Sequence, residues 1–251
     1  MSEQKIYPAT EAAAARSHLS RAEYETLYRQ SIENPDECWA EQAGNFLHWH
    51  EPWRRVSGGD FGTAGATWFE GARLNASYNC VDRHLEHRAA QTAIIWEGDE
   101  PSDSKRLSYR ELHESVCRFA NALKARGVSK GDRVCIYMPM IPEASIAMLA
   151  CARIGAVHSV VFGAFSPEAI KDRILDSDCR VVITADEGIR GGRKIPLKAN
   201  TDEALADCPG CTTAIVVRRT GGDVNIQVGR DVWYHEEMAK ASADCPLEEM
   251  S

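Results

Sequence analysis

The chain has 251 residues, 44% hydrophobic and 26% charged, with a formal net charge of −8, which suits a soluble globular protein of one or two domains with a large core. That charge argues against a general polyanion binder, because nonspecific nucleic-acid affinity needs clustered Lys and Arg; any anion site must be local. Nine cysteines, an odd number with several inside apolar runs, fit reduced, packed thiols in a cytoplasmic protein rather than a disulfide framework. The first twenty residues lack a charged-then-apolar signal pattern. The longest apolar helix-like stretch, "ASIAMLACARIGA", is interrupted by Arg153 and is too short to span a bilayer, so no membrane partner is expected.

Residues 1–20 are small and polar and read as a flexible arm. Residues 20–53 read as two short helices, with Asn34 and Pro35 as cap and first-turn residue of the second. Trp39, Ala43, Phe46 and Leu47 would form its apolar face. The Gly-, Thr- and Ala-rich residues 57–75 read as a loop leading to a short strand. Residues 75–88 look helical, with Tyr78, Val81 and Leu85 on one side. Together, residues 21–88 form an expected aromatic-rich cap.

Residues 93–97 suit a strand and 101–104 a turn. Ser108 and Glu111 have the spacing of a capping box. Leu112, Val116, Phe119 and Leu123 then step along one helix face, and Gly127 ends it. "DRVCIYM" reads as a strand buried on both faces. Pro142 opens an apolar helix, "VHSVVF" is a second buried strand, and Ser166–Pro167–Glu168 starts a helix with Ile170 and Ile174 on one face. "RVVITA" is a third strand. Strand, helix, strand, helix, strand at this spacing predicts parallel strands with right-handed crossovers and an α/β class. Residues 212–237 read as a strand, a Gly221–Gly222 turn and a second extended piece in a hairpin pattern. The polar tail does not resemble a finished domain edge.

In an open α/β sheet, ligands sit beyond the carboxyl ends of the strands. "ADEGIRGGR" follows the third strand and therefore lies on that rim. Gly188, Gly191 and Gly192 permit close backbone approach, and Arg190 and Arg193 offer planar forks to phosphate oxygens. The competing reading is a solvated loop whose arginines pair with Asp186 or Glu187. "VFGAFSPEAI" leaves the second strand toward the same rim, where Gly163 and the amides near Ser166 either line a pocket or form a plain capped turn. Cys208 and Cys211 have redox or metal spacing but lack a second pair, and read as a turn with two thiols. His48 with His50, and His84 with His87, lack a spaced third ligand and read as structural or surface residues. No metal site is expected, and no Walker loop or complete GxGxxG is present. The missing glycine fingerprint weakens a dinucleotide-dependent oxidoreductase reading.

Three stretches carry a resemblance: "WFEGARLNASYNCVDRHL", the run from "LSYRELHESV" through "ARIGAVHSVVFGAFSPEAI" to "ADEGIRGGRKIPLK", and "VVRRTGGDVNIQVGRDVWYHE". They resemble the AMP-forming acetyl-CoA synthetases (acetate–CoA ligases) of the adenylate-forming superfamily, from about residue 22 onward. The resemblance implies a two-step reaction with ATP–Mg2+, acetate and CoA as substrates. Acetate attacks the α-phosphate to give acetyl-AMP and pyrophosphate, and the CoA thiol then gives acetyl-CoA and AMP. It implies a parallel sheet with flanking helices, the first part of the adenylate-forming large domain, over residues 89–251, behind a helical cap at 21–88. It also implies that Arg190, Gly191, Gly192 and Arg193, with Phe162, Gly163 and Ala164, contact the nucleotide end of CoA. The family commonly has glycine where Ala164 stands. Its Ser/Thr/Gly-rich phosphate loop, acetate pocket, ribose-binding Asp and catalytic Lys are not in this sequence. The expectation is therefore the N-terminal portion of a longer enzyme: no catalytic residue or Mg2+ ligand here, the missing C-terminal part of the same enzyme as partner, and inactivity alone. A propionate–CoA ligase and a non-catalytic CoA- or nucleotide-binding module are the alternatives.

Overall fold

The computed structural model describes residues 7–251. The chain divides into two compact units, one ending at Ala72 and one running from Arg73 to Ser251. Of the arm expected over residues 1–20, residues 1–6 lie outside the described residues; residues 7–20 hold one short helix, α1 (Glu11–Ala14), and are exposed throughout.

The first unit continues with α2 (Arg21–Glu33), α3 (Pro35–Phe46) and an antiparallel pair, β1 (Arg55–Gly58) and β2 (Thr67–Glu70). Ser20 and Glu23 close a capping box at the start of α2. Asn34 and Pro35 do sit at the α3 boundary, but the Asn34 side chain makes no cap bond. The apolar face expected of α3 is corrected: only Ala43 is buried, while Trp39, Phe46 and Leu47 stay exposed. The unit's apolar centre is instead the ring cluster of Trp49, Trp53 and Phe69, with centroids 5.1–5.3 Å apart. The Trp49 indole N–H donates to Ala43 O at 3.0 Å.

In the second unit, the helix expected over 75–88 is broken into α4 (Ala76–Cys80), a 3-10 turn and α5 (Leu85–Arg88). The break is at Val81, which leaves the helical region at φ −129° and is fully buried. The hairpin of β3 (Thr92–Glu97) and β4 (Ser104–Ser108) follows. The stretch 101–104 was expected only as a turn; its end starts β4, whose alternating Lys105, Arg106 and Leu107 bury the leucine alone. Then come α6 (Tyr109–Ala125), β5 (Arg133–Met138), α7 (Pro142–Arg153), β6 (Val157–Phe162), α8 (Pro167–Ser177) and β7 (Val181–Ala185). A small hairpin, β8 (Gly188–Arg190) and β9 (Arg193–Ile195), leads to α9 (Leu197–Leu205), β10 (Thr213–Val217), β11 (Asp231–Trp233) and α10 (Tyr234–Lys240).

Both halves of the capping box at α6 form: the Ser108 hydroxyl accepts from Glu111 N, and the Glu111 carboxylate accepts from Ser108 N at 2.8 Å. Leu112, Val116, Phe119 and Leu123 all face the core. Because the box supplies a terminal amide with its acceptor, Ser108→Ala should cost about 1 kcal/mol; a urea midpoint measured beside wild type checks this.

Five parallel strands form the main sheet in the order β11-β10-β7-β5-β6. By order of appearance they lie 2-1-3-4-5, so the chain reverses direction across the sheet beside β5. The α/β class and the parallel sheet expected from the sequence are therefore present. Two strand readings are corrected. β6 is not buried on both faces: it is the sheet edge, and Val157, Val160 and Phe162 are each about half exposed. An apolar run reports preference for burial, not the presence of a neighbour. Second, β10 and β11 are not a hairpin but run parallel, joined by the crossing segment 218–230. The tail after α10 is pinned by backbone partners: Arg153 Nε donates to Cys245 O at 2.8 Å, and the Asn75 side chain donates to Glu248 O at 2.8 Å.

Candidate functional site

The reversal in strand order leaves a crevice at the carboxyl edge of the sheet, where open α/β sheets hold ligands. A cavity of about 390 Å³ opens there. Its floor is the end of β5 with Pro139 to Ile141, its side is the end of β6 with Gly163 and Ala164, and β8 closes it. Most of the lining is apolar, with Arg190, Arg219, Glu97 and Asp99 at the polar positions.

The rim turn after β6 is held by Tyr137, buried on β5. Its hydroxyl lies 3.1 Å from both Gly163 O and Phe165 O and accepts from Asn200 Nδ2 at 3.1 Å. A Cβ added at Gly163 would stand 3.1 Å from Met138 O, so glycine lets this turn press onto β5. Phe162 and Ala164 flank it in the cavity wall. Ser166 does not line the cavity; its hydroxyl accepts from Ala169 N and caps α8.

Gly191 and Gly192 both have positive φ, 56° and 72°. Two consecutive positive φ values are what a two-residue hairpin of the primed type requires, which explains the glycine pair between two arginines. Arg190 and Arg193 are therefore directly opposite across the β8–β9 ribbon, and both are exposed. Like charges opposite one another on a ribbon repel. Neither guanidinium is paired with a carboxylate among the described residues, so the pairing with Asp186 or Glu187 that the competing solvated-loop reading supposes is absent. Asp186 is fully buried and is spent on backbone: it accepts from the amides of Glu187, Arg219, Thr220 and Gly221 at 2.7–3.2 Å. Glu187 binds Lys194 Nζ at 2.6 Å and the Thr220 hydroxyl. The Lys194 ammonium first, and Thr220 second, hold its carboxyl below the usual carboxylate range. Arg190 instead lies over the Phe162 ring, 5.6 Å from its centroid. Of the seven residues singled out from the sequence, Arg190, Phe162, Gly163 and Ala164 line the cavity; Gly191, Gly192 and Arg193 form the adjoining ribbon end.

Sequence reasoning missed the opposite wall. Trp96 comes from β3, and its indole N–H donates to Met140 O at 2.6 Å. Arg219 stacks on it at 4.9 Å and is paired with Asp103. The acidic, turn-rich "EGDEPSD" marks a hairpin tip, yet nothing in the local sequence says that this tip reaches the rim of another sheet. Cys208 and Cys211 are separate buried thiols, and burial pushes Cys211 up to about 12. Among the described residues no group of three or more His, Cys, Asp or Glu side chains is disposed to hold a metal, and no helix is long and apolar enough to cross a membrane.

Residues 81–246 match the family model described as AMP-binding enzyme. The chain belongs to that family. Residues 24–80 match a second model, the acetyl-coenzyme A synthetase N-terminus. Acetyl-coenzyme A synthetase 2 from Pseudomonas aeruginosa is 62% identical over 250 residues, covering 100% of this chain and 39% of the relative. The acetyl-coenzyme A synthetase of Halorhodospira halophila is 60% identical with the same coverage. Among solved structures, the acetoacetyl-CoA synthetase from Streptomyces lividans superposes with a TM-score of 0.81 at 27% identity, over 96% of this chain and 36% of that one. This chain thus spans about 39% of the length of the curated relatives it matches.

Proposed function

We propose that this chain is the CoA-contacting portion of an AMP-forming acetate–CoA ligase, which converts ATP, acetate and CoA to acetyl-CoA, AMP and pyrophosphate through acetyl-adenylate. The observation that carries the reading is the unpaired facing pair Arg190 and Arg193 beside the rim cavity. Mutual repulsion there is relieved by an anion with several phosphate oxygens, and the 3′-phospho-ADP end of CoA supplies them. The apolar floor suits the rest of a thiol-bearing carrier. Family membership and the names of the relatives support acetate as the acid. ATP and acetate binding, and any Mg2+ ligand, are assigned to parts of the enzyme outside the residues of this chain. A family-type N-terminal cap over 21–88 followed by the AMP-binding part from 89, and a cytoplasmic setting, belong to the same proposal; seven of the nine cysteines are buried free thiols, which suits a reducing compartment.

The test is calorimetric titration of CoA into the chain and into Arg190→Ala and Arg193→Ala. Losing one charge-assisted phosphate contact should weaken binding by about 1.5–3 kcal/mol, roughly ten- to a hundred-fold. Unchanged affinity in both variants removes the assignment. The same preparation should release no AMP in an acetate-dependent manner.

A further inference from the structure

The amide of Gly192, at the turn between the two arginines, is not free. It donates to Asp99 Oδ2 at 3.1 Å, and Asp99 stands at the tip of the β3–β4 hairpin, in the cavity wall. No cation pairs with Asp99 among the described residues. The neighbouring carboxylates are otherwise committed: Asp103 to Arg219, Glu187 to Lys194 and Thr220, while Glu97 lines the cavity without touching the turn. An exposed, unneutralised carboxylate thus occupies one of the two glycine amides of the turn between two guanidiniums that have no carboxylate partner among the described residues. Positive charge and an outward N–H at a glycine turn are what a phosphate oxygen seeks.

We propose that Asp99 is a built-in competitor for the phosphate site: it holds the Gly192 amide in the ligand-free protein and is displaced by a phosphorylated nucleotide. It is a specificity-determining residue and touches no reacting atom. The proposal rests on the CoA reading above and assigns that site a regulation. Displacement sets a threshold: a ligand gains the amide only if its own charge interacts with Arg190 and Arg193 more strongly than the carboxylate does. A nucleotide with a 3′-phosphate meets that threshold better than one without. The contact also ties the β3–β4 tip to the β8–β9 ribbon across the cavity, so ligand entry frees the tip.

The experiment titrates CoA and dephospho-CoA into wild type, Asp99→Asn and Asp99→Ala, and follows hydrogen exchange of residues 188–195 without ligand. Asparagine keeps an acceptor and removes the charge. We expect Asp99→Asn to bind CoA about three- to ten-fold more tightly, as an exposed charge interaction allows, with dephospho-CoA changed less than about two-fold. Asp99→Ala should speed exchange in 188–195. If wild type binds CoA with the expected Arg190 dependence but Asp99→Asn binds it no more tightly, the competitor role is overturned and the CoA site stands. If dephospho-CoA gains as much as CoA, displacement by phosphate is overturned. If neither wild type nor Asp99→Asn binds CoA, both readings fall together.

Discussion

Replacing Lys198 with methionine should destabilise the second unit by about 3 kcal/mol or more, the largest single effect expected outside the core. The Lys198 side chain is fully buried on α9. Its ammonium reaches Asp202 at 2.6 and 2.8 Å, Asp231 at 2.8 Å and Asn225 O at 2.8 Å. Asp231 is equally buried and is also held by Arg230 at 2.6 Å. β11 pairs with β10 over only three residues, so this charge network is what fastens the last strand and its crossing loop to α9. Methionine matches the stem but removes the charge, leaving Asp231 with one cation in place of two in a medium that penalises it. Urea unfolding should show the loss as a lower midpoint, with faster exchange in 213–233. Lys198→Met combined with Asp231→Leu should recover part of it, because an apolar pair carries no desolvation cost. An unchanged midpoint in Lys198→Met would show that the network contributes nothing net.

The second large effect is a loss of stability on the alkaline side. His113 on α6 lies 3.2 Å from Asp82 and 3.5 Å from Cys117 Sγ. Asp82 also accepts from the buried Arg153 at 2.9 and 3.0 Å. The Asp82 carboxylate first, and Cys117 second, raise His113 from 6.5 to about 9. For Asp82 the largest influence is burial, which pushes its carboxyl up; His113 and Arg153 together overcome this and hold it below the usual range. The folded-state value of His113 lies above its unfolded one, so its contribution is complete below pH 6.5 and is lost as pH rises through about 9. A rise of that size corresponds to on the order of 3 kcal/mol. The ring is 23% exposed, and solvent screening reduces this to about 2 kcal/mol. Asp82 acts in the opposite sense: its contribution is present above its ordinary 3.8 and is lost as pH falls through its lowered value. Stability should therefore hold level from about pH 4 to 6.5 and fall by pH 9. In Asp82→Asn, Arg153 keeps its charge at 5% exposure without a carboxylate partner, a cost of about 3 kcal/mol or more. His113→Gln should flatten the alkaline fall and lower the plateau. An alkaline limb as steep in His113→Gln as in wild type would rule the pair out as its source.

The candidate site was legible where chemistry is local. Arg190, Gly191, Gly192 and Arg193 stand together in the sequence because a primed two-residue turn needs two positive φ values, and their exposure at a strand end follows from the α/β pattern. Asp99, Trp96 and Arg219 were not legible as part of the cavity wall, since each is brought to the cavity by a hairpin or crossing loop whose direction no local pattern encodes. Likewise, Asp186 and Glu187 look like counter-ions for the arginines until the loop 218–222 folds back and takes both.

By itself the sequence determined several elements of the second unit: the capping box at Ser108, the helix face of Leu112 to Leu123, the apolar strands at 133–138 and 181–185, and a parallel sheet. These follow from side-chain spacing and capping, which act over a few residues. Only the tertiary structure decided that "VHSVVF" is an edge, that 231–233 adds in parallel, and which carboxylate meets which cation. Strand neighbours and ion pairs are selected by contacts between residues tens of positions apart, and the free energy of those contacts exists only once the chain has closed on itself.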